Sequence, residues 1–464
     1  MQESVLRALR TPIARPSAEW TAVVVLIPLL LSVAIWNGFP LIFYDTGAYV
    51  LQGLGRELVV ERSPVYSLFL DYGGGAISLW FIAIIQAGLT SFAVVECARC
   101  VAPAMGIGKF LGVGAALVVV TGLPWYAGQI EPDCFTAVTV LCAYMLAFHV
   151  RDLGWPRSIA LLALATFAEA THPSHLVLIA GLVLVVAIFK LVSIVRHGLP
   201  GLALSNIALP TLSAVLGVLL IVLSNYNLTG QIFINRAGSV FLFANLLQDG
   251  IVDRLLDDTC PQSHYRLCAY RGHLPKTAER WLWFPDSPFV ALGHFKGTAA
   301  ESQRIVYDSF ARYPGAIFRA AVEDTAVQLV TFRTGDQIEP QEWVLHQNLD
   351  KFIPEQMNAY MAARQQRGDI RFHTVNDIHV PVAGLAQLGL IAAFFYMARE
   401  RRWNSAIFLG FVGAALLGNA IICGTLSDPH NRYQSRIVWL PVFALALLGT
   451  EGRFALRAHT ESGT

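Results

Sequence analysis

The chain has 464 residues, of which 55% are hydrophobic and 14% are charged, and its mean hydropathy is +0.53. Soluble domains usually carry about a quarter charged residues, so this composition indicates an integral membrane protein. The formal net charge is +1 and the basic residues form only short clusters, which excludes nucleic acid as an expected partner.

Apolar runs long enough to cross about 30 Å of hydrocarbon recur along the chain and predict an all-α, polytopic membrane fold. We expect about ten transmembrane helices, near 20–37, 76–98, 110–127, 134–150, 158–171, 174–195, 201–225, 379–398, 404–424 and 437–452. The first run is long and no small-residue cleavage site follows it, so we expect an anchor rather than a cleaved signal peptide.

The Lys and Arg residues of the connections predict that both termini are cytoplasmic, because positive charge is retained on that side. Fourteen basic residues then fall on the cytoplasmic side and fifteen between about 226 and 378. The short outer connections hold only Arg56, Arg62, Arg432 and Arg436.

Three parts follow from this topology. Residues 1–225 are a predicted N-terminal membrane module of about seven spans, with a first outer loop at 37–75. Residues 379–464 are a second module of about three spans and a cytoplasmic tail. The segment 226–378 is charged, rich in turn signals and long enough for a small core, so we expect a mostly helical extracytoplasmic domain between spans seven and eight.

Two of the seven cysteines, Cys260 and Cys268, lie in this outer segment with seven residues between them. A disulfide is the expected state in an oxidising compartment, and a zinc site using His264 or His273 is the alternative. The other five lie in or beside spans, where a thiol packs as a small apolar group.

Acidic, imidazole and guanidinium groups gather at the predicted outer ends of the spans. A transferase acting on a phosphate-linked lipid requires such groups: a base to deprotonate an acceptor hydroxyl, and cations to neutralise the departing phosphate. The candidate site residues are Asp45, Tyr49, Arg56, Arg62, Tyr66, Glu131, Asp133, His172, His430, Arg432, Tyr433 and Arg436.

Each candidate also has a purely structural explanation. Asp45 precedes Thr-Gly and could cap a loop helix. Arg432 and Arg436 could extend to lipid head groups. Glu131 and Asp133 could be only helix-start residues.

The spacing Glu169-x-x-His172-x-x-His175 suggests metal binding, but Pro173 interrupts the shared helical face. The outer loops also lack an Asp-x-Asp pair. No metal ligands are therefore assigned, and a divalent cation stays open as a cofactor.

The order of these segments resembles the GT-C superfamily of polyprenyl-phosphate-sugar-dependent glycosyltransferases, in particular the bacterial branch related to protein mannosyltransferases and to the lipid A aminoarabinose transferase. The resemblance rests on Asp45 and Tyr49 after the first span, Arg62-Ser-Pro-Val-Tyr-Ser-Leu-Phe-Leu, Glu131-Pro-Asp, and Arg432-Tyr433. It covers the membrane half, especially residues 37–150. Thr46-Gly47 and Ser67 depart from the family pattern.

The resemblance implies an inverting sugar transfer from a polyprenyl-phosphate donor to a lipid, glycan or protein acceptor on the outer face of a bacterial-type inner membrane. It implies that Asp45 is the base and that Glu131 and Asp133 shape the acceptor side. The implied donor-phosphate ligands are Arg56, Arg62, Arg432 and Arg436, with His430 and Tyr433 nearby. The donor and membrane lipids are the expected partners.

Two other classes stay open. A transporter or flippase concentrates ionisable groups near the bilayer midplane and often has repeated halves, whereas these predicted spans are nearly free of charge. A surface-glycan ligase or polymerase would place its chemistry in the large outer domain, near Arg271 or His273.

Overall fold

A computed structural model describes residues 16–195, 199–341 and 344–452. Within these ranges the regular structure is helical, and the one pairing of extended backbone is an isolated parallel bridge between Leu41 and Gln129. The all-α part of the fold prediction is therefore confirmed.

The first half of the chain begins with a bent apolar helix, α1 (Pro16–Leu30) followed by α2 (Ser32–Asn37). The next helices are α3 (Thr46–Leu54), α4 (Pro64–Tyr72), α5 (Leu79–Val101), α6 (Ile107–Val120), α7 (Leu123–Ala127), α8 (Cys134–Phe148), α9 (Val150–Leu153), α10 (Trp155–Thr171), α11 (Pro173–Val195) and α12 (Ser205–Thr229).

The second half contains mostly shorter helices before the last apolar ones. They are α13 (Gly238–Gln248), α14 (Ile251–Thr259), α15 (Ala278–Trp283), α16 (Pro288–Ala291), α17 (His294–Arg312), α18 (Pro314–Val330), α19 (Val344–Phe352), α20 (Met357–Met361), α21 (Phe372–Arg399), α22 (Trp403–Leu426), α23 (Asn431–Ser435) and α24 (Trp439–Thr450). Two 3₁₀ turns lie at Arg266–Tyr270 and Pro354–Gln356.

Six apolar helices of the described chain are long enough to cross a membrane, which indicates a multi-pass membrane protein. They are Glu19–Asn37, Leu79–Val101, Pro173–Val195, Ser205–Thr229, Phe372–Arg399 and Trp403–Leu426. The other four predicted spans correspond to the shorter helices α6, α8, α10 and α24, of 14, 15, 17 and 12 residues. Local sequence explains one early end: α6 stops at Thr121-Gly122, and Pro124 begins a new helix.

The short helix α8 lies at the centre of the apolar core. Fourteen of its 15 residues are buried. It packs against α5, α10, α11, α12 and α22. Its enclosure by longer helices explains why α8 itself can be short.

The described part of the segment 226–378 has a hydrophobic core of its own. Buried residues between Ala237 and Ile317 form one hydrophobic cluster around Trp281 and Phe243. Cys260 and Cys268 form a disulfide within this segment. The region from Leu345 to Ala363 instead packs into the main apolar core, where α19 contacts α3.

At the end of the helix bundle that holds the start of α1, a group of charged side chains joins α1, α5 and α10. Glu19 of α1 pairs with Arg99 of α5 (2.5 Å) and with Arg157 of α10 (2.5 Å). The backbone N–H of Ala104 donates to the carboxylate of Glu451, at 2.9 Å, just beyond α24. These contacts place the starts of α1 and α10 and the ends of α5 and α24 at the same end of the helix bundle.

Candidate functional site

The loop after α2 is fixed by backbone pairing to the loop before α8. The N–H of Leu41 donates to the carbonyl of Gly128, and the N–H of Ile130 donates to the carbonyl of Leu41, both at 2.9 Å. The Thr46 hydroxyl donates to the carbonyl of Ile130, at 2.9 Å. This pairing brings Asp45 and Glu131, which are distant in sequence, to the same place.

The Asp45 carboxylate contacts two arginines. Its Oδ1 accepts a short hydrogen bond from Nη2 of Arg62, and its Oδ2 lies 3.5 Å from Nη1 of Arg432. Asp45 precedes α3 directly, but its side chain does not cap that helix. The carboxylate is therefore held by charge rather than by turn chemistry.

Arg432 lies between the two aspartates. Its Nε is 3.6 Å from Oδ2 of Asp133, and its guanidinium lies 4.1 Å above the ring of Phe43. Its side chain is only 12% exposed, so it does not extend to a lipid surface. Its buried position between carboxylates fits a cation that is held for a ligand or for the fold.

Arg436 and Asp133 form the deepest ion pair of the site. Nη1 of Arg436 donates to Oδ1 of Asp133 at 2.7 Å, and the arginine side chain is fully buried. Nη2 of Arg436 also donates to Oδ1 of Asn419, at 3.2 Å. Burial alone would raise the pKa of Asp133, but Arg436 and then Arg432 hold it below its ordinary value. We call Asp45, Arg62, Asp133, Arg432 and Arg436 the charge network.

Glu131 lies beside this network and is 2% exposed. Its Oε1 has no hydrogen-bond partner among the described residues. Burial, followed by the negative charge of Asp45, raises the pKa of Glu131 well above its ordinary 4.5. The surroundings of Glu131 therefore favour its uncharged form more than water does.

The charge network borders a polar cavity of about 410 Å³. Its lining combines network residues with residues of α13, of α15 and of the 336–341 segment: Phe43, Tyr44, Asp45, Arg62, Phe241, Glu279, Leu282, Trp283, Asp336, Gln337, Glu339, Gln341, Ser427, Asp428, His430, Arg432 and Tyr433. The cavity thus joins two arginines and a histidine to five carboxylates and several aromatic rings. This lining suits a polyhydroxylated ligand whose anionic group lies at the arginines.

His430 contributes an imidazole group to the cavity wall. Its Nε2 lies 3.1 Å from Oδ2 of Asp428, and its Nδ1 lies 3.8 Å from Oδ2 of Asp336. Burial would lower the pKa of His430, but Asp428 raises it above its ordinary 6.5. Tyr433 lies next to it, and its hydroxyl is 3.3 Å from the hydroxyl of Ser427.

Several sequence candidates lie elsewhere. Arg56 pairs with Asp71 at 2.5 Å, and its side chain is 44% exposed. Tyr49 and Tyr66 are buried and packed edge to face, with ring centres 4.8 Å apart. These three side chains do not line the polar cavity.

His172 approaches the site only indirectly. Its Nδ1 is 2.7 Å from the hydroxyl of Ser174, and that hydroxyl lies 3.4 Å from Nη2 of Arg436. Burial, followed by the charge of its neighbour His175, keeps the pKa of His172 well below its ordinary 6.5. His172 is a neutral residue behind Arg436.

The described residues contain no group of three or more His, Cys, Asp or Glu side chains arranged to hold a metal ion. The three residues of the Glu169/His172/His175 pattern have separate partners. Glu169 accepts from Ser213 at 2.9 Å, and His175 contacts Thr136 at 2.7 Å.

The structure adds residues that the sequence did not single out. Gln365 accepts from the N–H of Ile42 (3.0 Å) and donates to its carbonyl (2.6 Å), which holds the Asp45 loop from the far side. Asn419 fixes Arg436, and Asp336 accepts from the backbone N–H of Arg432 at 3.1 Å. Gln365 and Asn419 lie in ordinary helical or polar stretches, and no sequence pattern marks them.

No protein-family model matches the chain, and no curated protein or solved structure matches it either.

Proposed function

We propose that this chain is a membrane glycosyltransferase that moves a sugar from a polyprenyl-phosphate donor to an acceptor on the outer face. The observation that carries the proposal is the position of Asp45: a carboxylate on the wall of a polar cavity, between two arginines that can receive a phosphate. A base and a phosphate site within one cavity are the two elements that this reaction needs.

We propose ten membrane crossings, with the four short helices crossing as well. Asp45 follows the first apolar helix and Arg432 follows the sixth long one, so six crossings would place them on opposite faces. The two side chains are 3.5 Å apart. An even number of crossings must separate two groups that lie on the same face.

The contacts at both ends of the short helices support the same count. Asp133, at the start of α8, contacts Arg432. Arg157, at the start of α10, contacts Glu19 at the opposite level. Ala170, at the end of α10, accepts from Ser63, which is next to Arg62. These contacts fit α8 and α10 if each runs from one face to the other.

α6 and α24 also run between the two levels. Ala104, before α6, contacts Glu451 at the end of the bundle where Glu19 lies. Gln129, after α6, pairs with Leu41 at the end of the bundle where Asp45 lies. α24 lies between Arg436 and Glu451.

This count puts the charge network, the outer segment and its disulfide on the face opposite the termini. A disulfide is stable in an oxidising compartment, and the basic residues of the short connections are concentrated at the other face. Both observations support an outer-facing cavity in a bacterial-type inner membrane with cytoplasmic termini.

The donor phosphate is proposed to bind between Arg62 and Arg432. Guanidinium groups bind phosphate oxygens through paired N–H donors. Both arginines already hold the Asp45 carboxylate, so an arriving phosphate competes with Asp45 for them. Its arrival releases the carboxylate, which is then free to accept a proton from the acceptor hydroxyl.

In the transfer, an acceptor oxygen forms a bond to the anomeric carbon of the sugar while the bond from that carbon to the phosphate oxygen breaks. The acceptor proton goes to the Asp45 carboxylate. The leaving polyprenyl phosphate gains one negative charge, which Arg62 and Arg432 stabilise. Attack opposite the leaving phosphate inverts the anomeric configuration.

The deeper pair has a positioning role in this scheme. Asp133 holds Arg436 directly and orients Arg432 from the side opposite Asp45. Neither Asp133 nor Glu131 lines the cavity, so their proposed contribution to the acceptor side is indirect.

The decisive experiment is the Asp45→Asn variant in membranes, assayed with a polyprenyl-phosphate-linked sugar and the acceptor lipids of the host membrane. We expect transfer to fall at least 100-fold while the folded protein stays abundant. Asp253→Asn is the matched control, since Asp253 pairs with an exposed lysine of the outer segment. A transfer rate of the Asp45→Asn variant equal to that of the parent protein would show that Asp45 is not the base.

The donor site is tested separately by Arg432→Ala. We expect weaker binding of polyprenyl monophosphate in nanodiscs, with Arg367→Ala as the control because Arg367 forms an exposed pair with Asp369. Unchanged phosphate affinity in Arg432→Ala would make Arg432 a structural residue only.

A further inference from the structure

An apolar groove of about 230 Å³ lies on the other side of Arg62 from the polar cavity. It is lined by Leu58, Val60, Glu61, Arg62, Ser63, Pro173, Leu176, Val177, Ile221, Asn225, Phe233, Ile234 and Asn235. Arg62 is the residue that lines both spaces. The molecule thus has an apolar space and a polar space that meet at one cation.

The groove is a built feature with fixed walls. Ile221 in its lining belongs to a small buried cluster with Val65 and Ala170. The Asn225 side chain donates to the carbonyls of Phe233 (2.9 Å) and Ile234 (3.3 Å), which holds the 233–235 segment as one wall.

The segment that carries Arg62 is fixed equally well. The hydroxyl of Ser63 donates to the carbonyl of Ala170 at 2.6 Å. Ser63 also caps α4 by accepting from the N–H of Val65. Arg62 therefore has a defined position at the end of the groove.

The groove is reachable from the hydrocarbon of a bilayer. It lies between α11 and α12, whose apolar windows are only 22% and 28% buried within the protein. Val177 at its edge is 45% exposed, and Leu223 on the same helix as Ile221 is 64% exposed. Apolar side chains this exposed on membrane helices face lipid.

The charges at the junction favour an anion. Nε of Arg62 is buried and makes no hydrogen bond to any described residue, so the guanidinium keeps a free donor. Glu61 is the one carboxylate among the lining residues. Burial raises the pKa of Glu61, only partly offset by Arg62, which reduces the repulsion that this carboxyl would exert on a phosphate.

We propose that this groove holds the phosphate-proximal isoprene units of the donor, with the phosphate at Arg62 and the sugar in the polar cavity. The proposal rests on the proposed function. Arg62, the one cation at the end of the apolar groove, matches a polyprenyl chain that ends in one phosphate. The remaining isoprene units of the donor extend between α11 and α12 into the bilayer.

Ile221→Trp tests the proposal by filling the groove from a buried residue of its lining. Full-length protein in phosphatidylcholine nanodiscs is titrated with a long polyprenyl monophosphate and with inorganic phosphate, which has no isoprene chain to occupy the groove. We expect at least a 10-fold loss of affinity for the long phosphate and less than a 2-fold loss for inorganic phosphate. Arg62→Ala should weaken both.

Val185→Trp is the matched control, because Val185 lines a different apolar pocket, of about 240 Å³, between α11 and α22. It should leave both affinities unchanged. Val177→Trp, at the exposed edge of the groove, gives a second test if Ile221→Trp folds poorly. Equal affinity of Ile221→Trp and the parent for the long phosphate would overturn the proposal.

Competition separates a donor groove from an ordinary lipid site. Phosphatidylglycerol added to the nanodiscs should not displace the polyprenyl phosphate, and displacement at equal concentration would overturn the assignment. The result is also distinguishable from failure of the proposed function. If Asp45→Asn abolishes transfer while Ile221→Trp binds normally, the function stands and the groove assignment fails. If Ile221→Trp loses binding while Asp45→Asn transfers normally, the groove assignment stands and the proposed catalytic role of Asp45 fails.

Discussion

Each aspartate of the charge network contacts two arginines, and Arg432 contacts both aspartates. Within the network three cations and two anions leave one positive charge over, and burial raises the pKa of the neighbouring Glu131, which favours its uncharged form. An excess of positive charge in a buried position is costly unless a ligand or solvent compensates it. The cavity next to Arg62 and Arg432 is where an anionic ligand can do so.

Removing the buried carboxylate of Asp133 should destabilise the protein strongly. The Asp133→Asn variant leaves Arg436 fully buried without its charged partner. Loss of one partner of a buried pair costs about 3–5 kcal/mol. The measurement is the thermal unfolding midpoint in detergent, and Asp257→Asn, in an exposed pair with Arg271, should leave that midpoint nearly unchanged. A double variant that also carries Arg436→Gln should recover part of the loss, and no recovery would contradict the paired role.

Glu131 should make stability fall with rising pH. Its folded-state pKa is above 4.5, so the folded protein keeps this proton while the unfolded chain releases it. The stabilisation is complete below pH 4.5 and is lost as the pH rises towards the folded-state pKa. Glu131→Gln keeps the neutral form at every pH. Its unfolding midpoint, compared with that of the parent between pH 5 and 9, should show an advantage that grows with pH, and a constant difference would be inconsistent with a buried neutral acid.

At the scale of helices, the site depends on how closely α3 and α4 approach each other. Asp45 precedes α3 and Arg62 precedes α4, and a short connection joins the two helices. The sequence identified both residues, because polar groups at the ends of apolar runs are conspicuous. It did not predict that Arg56, which lies between them, turns away to Asp71, since that depends on the positive φ of Arg56 and the path of the connection.

Gly53→Ala should disturb this approach. A Cβ atom at Gly53 would lie 2.3 Å from the carbonyl oxygen of Ser67 on α4, so the two helices must move apart. Overpacking of this kind costs about 1–3 kcal/mol. We expect a lower unfolding midpoint and at least a 10-fold slower sugar transfer, because Asp45 and Arg62 separate.

Gly112→Ala is the matched control for that substitution. Gly112 lies within α6 and has open space where a Cβ would be. Alanine favours a helix over glycine by up to about 1 kcal/mol, so the control should be neutral or slightly more stable. Equal behaviour of the two variants would mean that α3 and α4 tolerate separation.

At the scale of the whole molecule, hydropathy located the six long apolar helices and α6, α8, α10 and α24, but it did not mark α13 and could not show how the helix ends meet. Long helices such as α11 are recognisable from composition alone, whereas α8 and α24 are short because neighbours enclose them. The position of 344–363 in the main core was also beyond a sequence argument, since its exposed and buried residues alternate without an apolar run. The packing of distant segments therefore determined both the site and the proposed number of crossings.

Reporter fusions distinguish ten crossings from six. Alkaline phosphatase, which is active only outside the cytoplasm, is fused after Asp286 in the segment 226–378 and after Arg401 between α21 and α22. Ten crossings with a cytoplasmic N-terminus predict activity after Asp286 and none after Arg401. Crossings by only the six long helices predict the opposite at both positions, because four and five of them precede these residues. The second pattern would place Asp45 and Arg432 on different faces, which their 3.5 Å contact does not allow. A green fluorescent protein fused at the same two positions should show the complementary result, since it matures only in the cytoplasm.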